Sequence, residues 1–104
     1  MADKLMSLLG LCRRAGKLVL GNDPVIDSIN LKKAKLVVVA SDCSRHTAKD
    51  VLSCAHRNGV KAHTLPHTKE EISLAVGKYT AVLSIIDDGF AKKADSLICT
   101  LKEE

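Results

Sequence analysis

The residues of this sequence best suited to covalent chemistry are its cysteines, which stand at positions 12, 43, 54 and 99 with no CxxC pair among them. Cys43 follows an apolar run typical of a buried strand and precedes a helical segment, and the start of a helix lowers the pKa of a thiol. A phosphatase-type loop would place an arginine six residues later, where the sequence has Lys49. We therefore favour a small residue in a turn for Cys43 and keep a cysteine-dependent enzyme as an alternative.

Histidines are the next candidates, as metal ligands, and they stand at positions 46, 56, 63 and 67. His63 and His67 are four residues apart, but Pro66 lies between them and prevents a shared helical face. A zinc site built from Cys43, Cys54 and His56 would have none of the usual ligand spacings. We therefore predict surface histidines and no metal site.

Two glycines, Gly16 and Gly21, have part of the spacing of a P-loop. Asn22 stands where that loop needs a lysine to hold phosphate, and neither GxGxxG nor GxSxG occurs. The sequence predicts no bound cofactor.

Positive charge is grouped along the chain. Lysine and arginine number 16 against 12 acidic residues, for a net charge of +4 and a pI of about 9.0. The basic groups are Arg13-Arg14 with Lys17, Lys32-Lys33 with Lys35, Arg45 with Lys49, and Lys92-Lys93. Lysines near the C terminus of a helix are also expected from the helix dipole alone. The charge therefore only mildly favours an anionic partner.

Alternating helices and strands are predicted to position these residues. Short apolar runs, either rich in β-branched residues or without alternating polar residues, predict strands over 17–20, 36–40, 60–65 and 81–86. Helices are predicted after an Asp3 N-cap, over 45–57, after a Thr68 capping box and after Asp87. A further helix is predicted with Asp23 as N-cap and Pro24 at its first position. This alternation predicts an α/β fold, a three-layer α/β/α sandwich.

Length and composition predict one domain, residues 1–104, because 46% hydrophobic residues suffice for a core without disulfides or metal. The core must be aliphatic, since Tyr79 and Phe90 are the only aromatic residues. The apolar runs are too short to span a bilayer, and no signal-peptide pattern follows Met1. We expect a cytoplasmic protein with no membrane partner and with reduced thiols, most of them in the core.

Four segments carry a resemblance to a known family: 8–21 (LLGLCRRAGKLVLG), 34–42 (AKLVVVASD), 74–78 (LAVGK) and 87–93 (DDGFAKK). In this order they resemble the kink-turn-binding ribosomal-protein family of the L7Ae/L30e type, and its bacterial YlxQ-like branch most. The resemblance spans about residues 8 to 97. It implies a mixed four-stranded sheet and a small non-enzymatic protein that binds structured RNA, either ribosomal RNA or a kink-turn, with ribosome association as a further expectation.

The resemblance also implies where RNA is contacted. In the family, an Asn-Glu pair followed three residues later by Lys or Arg grips the sheared G·A pairs of a kink-turn. Aligned without gaps, those positions hold Asp23, Pro24 and Asp27; shifted by one, they hold Asn22, Asp23 and Ile26. Asp23 can cap the helix and accept hydrogen bonds from guanine amino groups. Pro24 offers no side-chain hydrogen bond, and Asp27 places a negative charge where the family has a cation.

A second family contact is the loop after the fourth helix, where Lys78 can reach phosphate and Tyr79 can stack on a base. The residues predicted to bind RNA are Arg14, Lys17, Gly21, Asn22, Asp23, Asp27, Lys32, Lys33, Lys78 and Tyr79. The altered contact segment motivates an alternative function, a protein–protein interaction module on the same fold. We predict that Asp27 is exposed, because Val25, Ile26 and Ile29 form the apolar face of that helix.

Overall fold

Helices and strands alternate along residues 3–103, the part of the chain that the computed structural model describes. Met1, Ala2 and Glu104 of the predicted domain 1–104 lie outside the described residues. The helices are α1 (Lys4–Arg14), α2 (Asn22–Asn30), α3 (Arg45–Arg57), α4 (Lys69–Val76) and α5 (Asp88–Glu103). The strands are β1 (Leu18–Leu20), β2 (Leu36–Val39), β3 (Ala62–Thr64) and β4 (Val82–Ile85).

The predicted helix signals at two N termini are confirmed. The Asp3 carboxylate accepts hydrogen bonds from the N–H groups of Leu5 and Met6 and caps α1. The Thr68 and Glu71 side chains form the predicted capping box of α4. Helix α3 has the predicted bounds, and the strands are one or two residues shorter than predicted at their ends.

The start of α2 differs from the prediction. Gly21 is the N-cap residue, so Asp23 and Pro24 are the second and third residues of the helix. The backbone of Gly21 is held by the neighbouring strand β4, and this contact starts the helix two residues early. Pro24 remains compatible with the helix, because the first N–H groups of a helix have no intrahelical acceptor. Asp23 lies in the first turn, where the helix dipole favours a negative charge.

The sheet has the order β1-β4-β2-β3, with β4 antiparallel to both of its neighbours and β2 parallel to β3. This confirms the predicted α/β fold with a mixed four-stranded sheet. Helices α1, α4 and α5 pack on one face through an aliphatic cluster, and α2 and α3 pack on the other face through a second cluster. Every residue of β2 and β4 is buried, as expected for strands covered on both sides.

The prediction of surface histidines is wrong for two of the four. His67 is 8% exposed, and its Nε2 lies 2.6 Å from Asp3 Oδ2. His63 Nε2 lies 2.7 Å from Asp95 Oδ1. Both carboxylates belong to helices distant in sequence, so the pairs exist only once α1 and α5 pack on the sheet.

The same pairs shift the pKa values of the two carboxyl groups. The hydrogen bond with His63 is the main reason why the pKa of Asp95 lies below its usual value. For Asp3, desolvation by burial acts to raise the pKa. The hydrogen bonds from His67 and from the helix N–H groups outweigh it, and the pKa of Asp3 is lowered.

The four cysteines are free thiols, and only Cys12 and Cys54 are buried. Cys43 is partly buried and Cys99 is exposed, so the expectation that most thiols lie in the core holds for two of them. Over the described residues, no helix combines the length and the apolar composition that crossing a bilayer requires.

Candidate nucleic-acid interface

Three helices begin at the same end of the sheet. Strands β1, β2 and β3 run in the same direction, because β1 and β2 are both antiparallel to β4 and β3 is parallel to β2. Each of them leads into a helix, so α2, α3 and α4 start side by side and β4 begins among them. We call this region the helix-start end, comprising residues 21–24, 42–47, 69–70, 73–74 and 77–81.

Gly21 fixes the junction between β1 and α2. Its φ of 95° and ψ of 156° lie in a region that is essentially restricted to glycine. Its N–H group is 3.3 Å from Val82 O and 3.2 Å from Thr80 Oγ1, and its carbonyl accepts from Val25 N at 3.0 Å. The start of α2 is therefore tied to β4 by backbone bonds rather than by a capping side chain.

The helix N termini at this end differ in how their N–H groups are satisfied. Ser44 Oγ accepts from Thr47 N at 3.3 Å and caps α3. In addition to its capping box, α4 donates Lys69 N–H to Asp42 Oδ1 at 2.7 Å. The N terminus of α2 has no capping side chain, since its N-cap is Gly21. The N–H groups of Asn22 and Asp23 therefore have no capping side chain, and uncapped N–H groups at a helix start can bind an anion.

Two clefts adjoin at this end of the molecule. The first has a volume of about 500 Å³ and is bounded by the starts of α2, α3 and β4. It is lined by Gly21, Asn22, Asp23, Pro24, Cys43, Ser44, Thr47, Lys69, Tyr79, Thr80 and Ala81. The second has a volume of about 640 Å³ and is lined by Asp42, Lys69, Glu70, Ser73, Leu74, Gly77, Lys78 and Tyr79. Lys69 and Tyr79 belong to both clefts and form the boundary between them.

The boundary presents apolar surface and positive charge together. Tyr79 is 71% exposed and Leu74 is 79% exposed, and both line the second cleft, so their apolar surfaces adjoin. Lys78 is exposed beside them. The loop that carries Lys78 and Tyr79 is held from α1, because Arg13 Nη1 donates to Val76 O at 2.5 Å at the end of α4. An exposed aromatic ring beside a lysine can stack on a base while the ammonium group contacts phosphate.

Cys43 lines the first cleft, and its environment contradicts the activated-thiol alternative. Burial raises the pKa of the thiol, Lys69 lowers it and Asp42 raises it, with a net upward shift. A catalytic thiol needs a lowered pKa. Among residues 3–101, whose side chains the structure describes, no three His, Cys, Asp or Glu side chains are grouped closely enough to hold a metal ion.

Five of the residues predicted to bind RNA meet at the helix-start end. Gly21, Asn22 and Asp23 line the first cleft, Lys78 lines the second, and Tyr79 lines both. Asn22 Nδ2 also lies 3.4 Å from Thr47 Oγ1 at the start of α3.

Asp27 and Arg14 lie outside these clefts. Asp27 is exposed, as predicted, about one turn further along α2. Arg14 lines a separate groove of about 420 Å³ between α1 and α4.

Three of the four predicted lysines, Lys17, Lys32 and Lys33, are not brought to this end. Lys17 precedes β1, whereas Gly21 follows it, and Lys32 and Lys33 follow α2, whereas Asn22 begins it. A strand and a helix each have two ends, and proximity in sequence does not say which end a residue occupies. The prediction from the sequence missed Lys69, which borders both clefts. The capping box at Thr68 places Lys69 first in α4, but the parallel pairing of β2 and β3, which brings it to this end, is seen only in the structure.

The chain is similar to known proteins over most of its length. The model of the ribosomal protein L7Ae/L30e/S12e/Gadd45 family matches residues 3–95. RNA-binding protein YlxQ of Enterococcus faecium is 42% identical over 96 residues, which cover 92% of each chain. The protein of the same name from Bacillus subtilis (strain 168) is 36% identical, over 88% of this chain and 91% of its own.

A solved structure has the same fold. A protein of unknown function from Bacillus halodurans superposes with a TM-score of 0.90 at 29% identity, over 94% of this chain and 99% of its own. The region that the family model matches includes both the strand–helix junction at Gly21 and the loop that carries Tyr79. The chain belongs to the ribosomal protein L7Ae/L30e/S12e/Gadd45 family.

Proposed function

We propose that this protein binds structured RNA through the helix-start end of its sheet. The observation that carries the proposal is the uncapped N terminus of α2 in the cleft that Tyr79 lines, with the exposed Lys78 in the adjoining cleft. Relatives at 42% and 36% identity bear the name RNA-binding protein, which supports the same partner class. The family assignment also agrees with the prediction that the protein is not an enzyme, because RNA-binding members of this family are non-enzymatic.

The two clefts suit two different parts of an RNA. Free N–H groups at the start of α2 favour a phosphate or a polar base edge, and Asn22 supplies a side-chain amide next to them. Tyr79 offers a ring on which an unstacked base can lie, and Leu74 extends that apolar surface. An RNA with an irregular backbone and an unpaired base satisfies both clefts at once, whereas a regular duplex satisfies only the first.

A kink-turn is the RNA form that we propose as the target, and ribosomal RNA as its source in the cytoplasm. Pro24 and Asp27 do not supply the side-chain contacts expected at those positions, and the exposed Asp27 carboxylate repels phosphate. We therefore expect weaker binding than a cationic residue at position 27 would give. Asn22, Asp23 and Tyr79 carry the remaining contacts.

Electrophoretic mobility shift with a kink-turn RNA, against a straight duplex of equal length and composition, tests the proposal. The kinked RNA should bind more tightly at the same salt concentration, because only it presents an unstacked base. Equal affinity for the two RNAs would contradict kink-turn recognition, and no binding of either would contradict RNA binding at this surface.

The exposed Leu74, beside Tyr79, favours one second candidate, a protein partner on the same surface. Co-purification from lysate with and without nuclease distinguishes the two functions. Under the RNA proposal, ribosomal proteins co-purify before nuclease treatment and are lost after it. Partners that survive nuclease, and are lost in a Leu74→Ala variant, would favour the protein-binding module.

A further inference from the structure

The opposite end of the sheet carries a group of lysines that the proposed site does not use. Lys17 and Lys35 directly precede β1 and β2. Both are bonded through their backbones to the end of β4, since Ile86 N donates to Lys17 O at 2.9 Å and Lys35 N donates to Ile85 O at 2.7 Å. They lie two strand spacings apart, or about 10 Å at the backbone.

The two lysines belong to the same face of the sheet. Leu18 and Leu36 are both paired with Ile85, and both pack in the cluster under α1, α4 and α5. Because successive side chains of a strand alternate between faces, the preceding residues, Lys17 and Lys35, belong to the face covered by α2 and α3.

The end of α2 adds two more lysines on that face. Lys33 and Ala34 donate their N–H groups to Ser28 O, which turns the chain from α2 toward β2. Lys32 adopts a left-handed conformation, with φ of 64°, and its Nζ donates to Asn58 Oδ1 at 2.8 Å. The ammonium group of Lys32 is therefore held beside the C-terminal end of α3. We call Lys17, Lys32, Lys33 and Lys35 the lysine end.

None of the ion pairs among the described residues involves these four lysines. Asp87 accepts from Phe90 N at 2.9 Å at the start of α5, on the other face of the sheet, and Asp88 begins the same helix. Asp95 accepts from Lys61 Nζ at 3.1 Å and pairs with His63. The lysine end thus presents four lysines outside the ion pairs of the described residues, and Lys17, Lys33 and Lys35 are exposed.

We propose that the lysine end is a second RNA-contacting surface, which binds the phosphate backbone of a double-helical segment extending from the RNA held at the helix-start end. This inference rests on the proposed function. Lysine is a compact point charge suited to phosphate, and phosphate contacts position a nucleic acid without reading its bases. The molecule extends 36 × 28 × 28 Å, so a stem must run along most of the protein to reach from one end to the other.

The test compares a minimal kink-turn RNA with the same RNA carrying one stem lengthened by about fifteen base pairs. For the unmodified protein, the salt dependence of Kd should be steeper on the long RNA. A Lys17→Gln/Lys35→Gln variant should lose about 0.7–0.9 of slope per lysine on the long RNA and nothing on the minimal one. The control is Lys92→Gln/Lys93→Gln on α5, which removes the same charge from exposed positions elsewhere.

The outcomes separate this inference from the proposed function. Equal losses in the two double variants, or equal slopes on the two RNAs, would overturn the second surface while leaving the kink-turn site intact. In another outcome, the unmodified protein fails to bind the minimal RNA while the Lys17→Gln/Lys35→Gln variant still lowers the salt slope on a duplex. That result would support the lysine end and contradict the first site. Polyglutamate that binds as tightly as duplex RNA, and only when these lysines are present, would overturn RNA in favour of an acidic protein.

Discussion

The two ends of the sheet present different surfaces to a partner. The helix-start end has two clefts with Tyr79 between them. Three helices begin there, and Gly21 has a backbone conformation that favours glycine. The lysine end is defined instead by positive charge, from lysines at two strand starts and one helix end. Clefts with aromatic rings can select an RNA structure, whereas exposed lysines contribute affinity for phosphate that falls as the salt concentration rises.

The comparison explains why net charge is a poor guide to the recognition site of this protein. The excess charge is only +4, and its densest group of lysines lies away from the clefts. Selectivity and electrostatic affinity are therefore assigned to opposite ends, and variants at each end should have different signatures.

Changing Gly21 should have the largest effect. Gly21→Ala introduces a side chain at a φ of 95°, and such strain costs about 1–3 kcal/mol. We expect a lower midpoint of thermal unfolding and weaker kink-turn binding, since the start of α2 must move. Gly59→Ala, at a φ of 69° at the end of α3, is the control. It should lower stability and leave RNA affinity per folded molecule unchanged; equal losses of affinity would contradict the special role of Gly21.

Tyr79→Ala should remove the stacking contribution. Base–aromatic stacking is worth about 1–3 kcal/mol, so the Kd measured by fluorescence anisotropy should rise by about one order of magnitude with little change in salt slope. Lys78→Ala should instead flatten the slope by about 0.7–0.9. Leu31→Ala removes a similarly exposed apolar side chain (65% exposed) beside the lysine end and should leave the minimal RNA's affinity unchanged. A loss equal to that of Tyr79→Ala would mean that RNA does not distinguish the two ends.

Asp27→Lys should strengthen binding. The substitution removes an exposed carboxylate and adds a cation one turn from the start of α2, with an expected gain of about 1 kcal/mol and a slope steeper by up to about 0.9. Asp27→Asn is the matched control, since it removes repulsion without adding a contact and should give a smaller gain with a smaller slope change. Unchanged Kd values in both variants would place the RNA away from this turn of α2.

The smallest effect concerns the thiol at the helix-start end. Because burial raises the pKa of Cys43, its thiolate fraction at neutral pH is small, and alkylation should rise only as pH passes the ordinary thiol range. The pKa of the buried Cys12 is about 11, so the exposed Cys99 should be labelled first, then Cys43, and Cys12 last. Mass spectrometry of alkylated peptides across pH provides the measurement. Rapid labelling of Cys43 below pH 7 would restore the cysteine-enzyme alternative.

The sequence predicts much of the fold because the signals are local. Helix α3 has the predicted bounds, since Ser44 and Asn58-Gly59 mark its ends, and the apolar run at 36–40 is a strand buried on both faces. The start of α2 was less predictable, because the bonds from Gly21 to Val82 and Thr80 join segments about 60 residues apart. Local capping preferences cannot represent such a contact.

The site was predictable only in part, for a topological reason. Asn22, Asp23 and Tyr79 follow from the resemblance to the family, and the structure brings them together. The position of Lys69 at the helix-start end depends on which strands run parallel. So does the position of Lys17 at the opposite end from Gly21. The hydrophobic pattern alone does not give strand order. The His67–Asp3 pair was missed for the same reason, since helix packing creates it.

The central claim is that RNA is recognised at the helix-start end, and mapping of backbone amide signals by NMR tests it most directly. Titration of the labelled protein with a minimal kink-turn RNA should perturb the amides of Asn22, Asp23, Lys69 and Tyr79 most. The amides of Lys33 and Lys35 should remain unperturbed with that RNA and respond only when one stem is lengthened. Perturbations centred on α1 and α5, with residues 21–23 and 77–80 unaffected, would contradict the assignment.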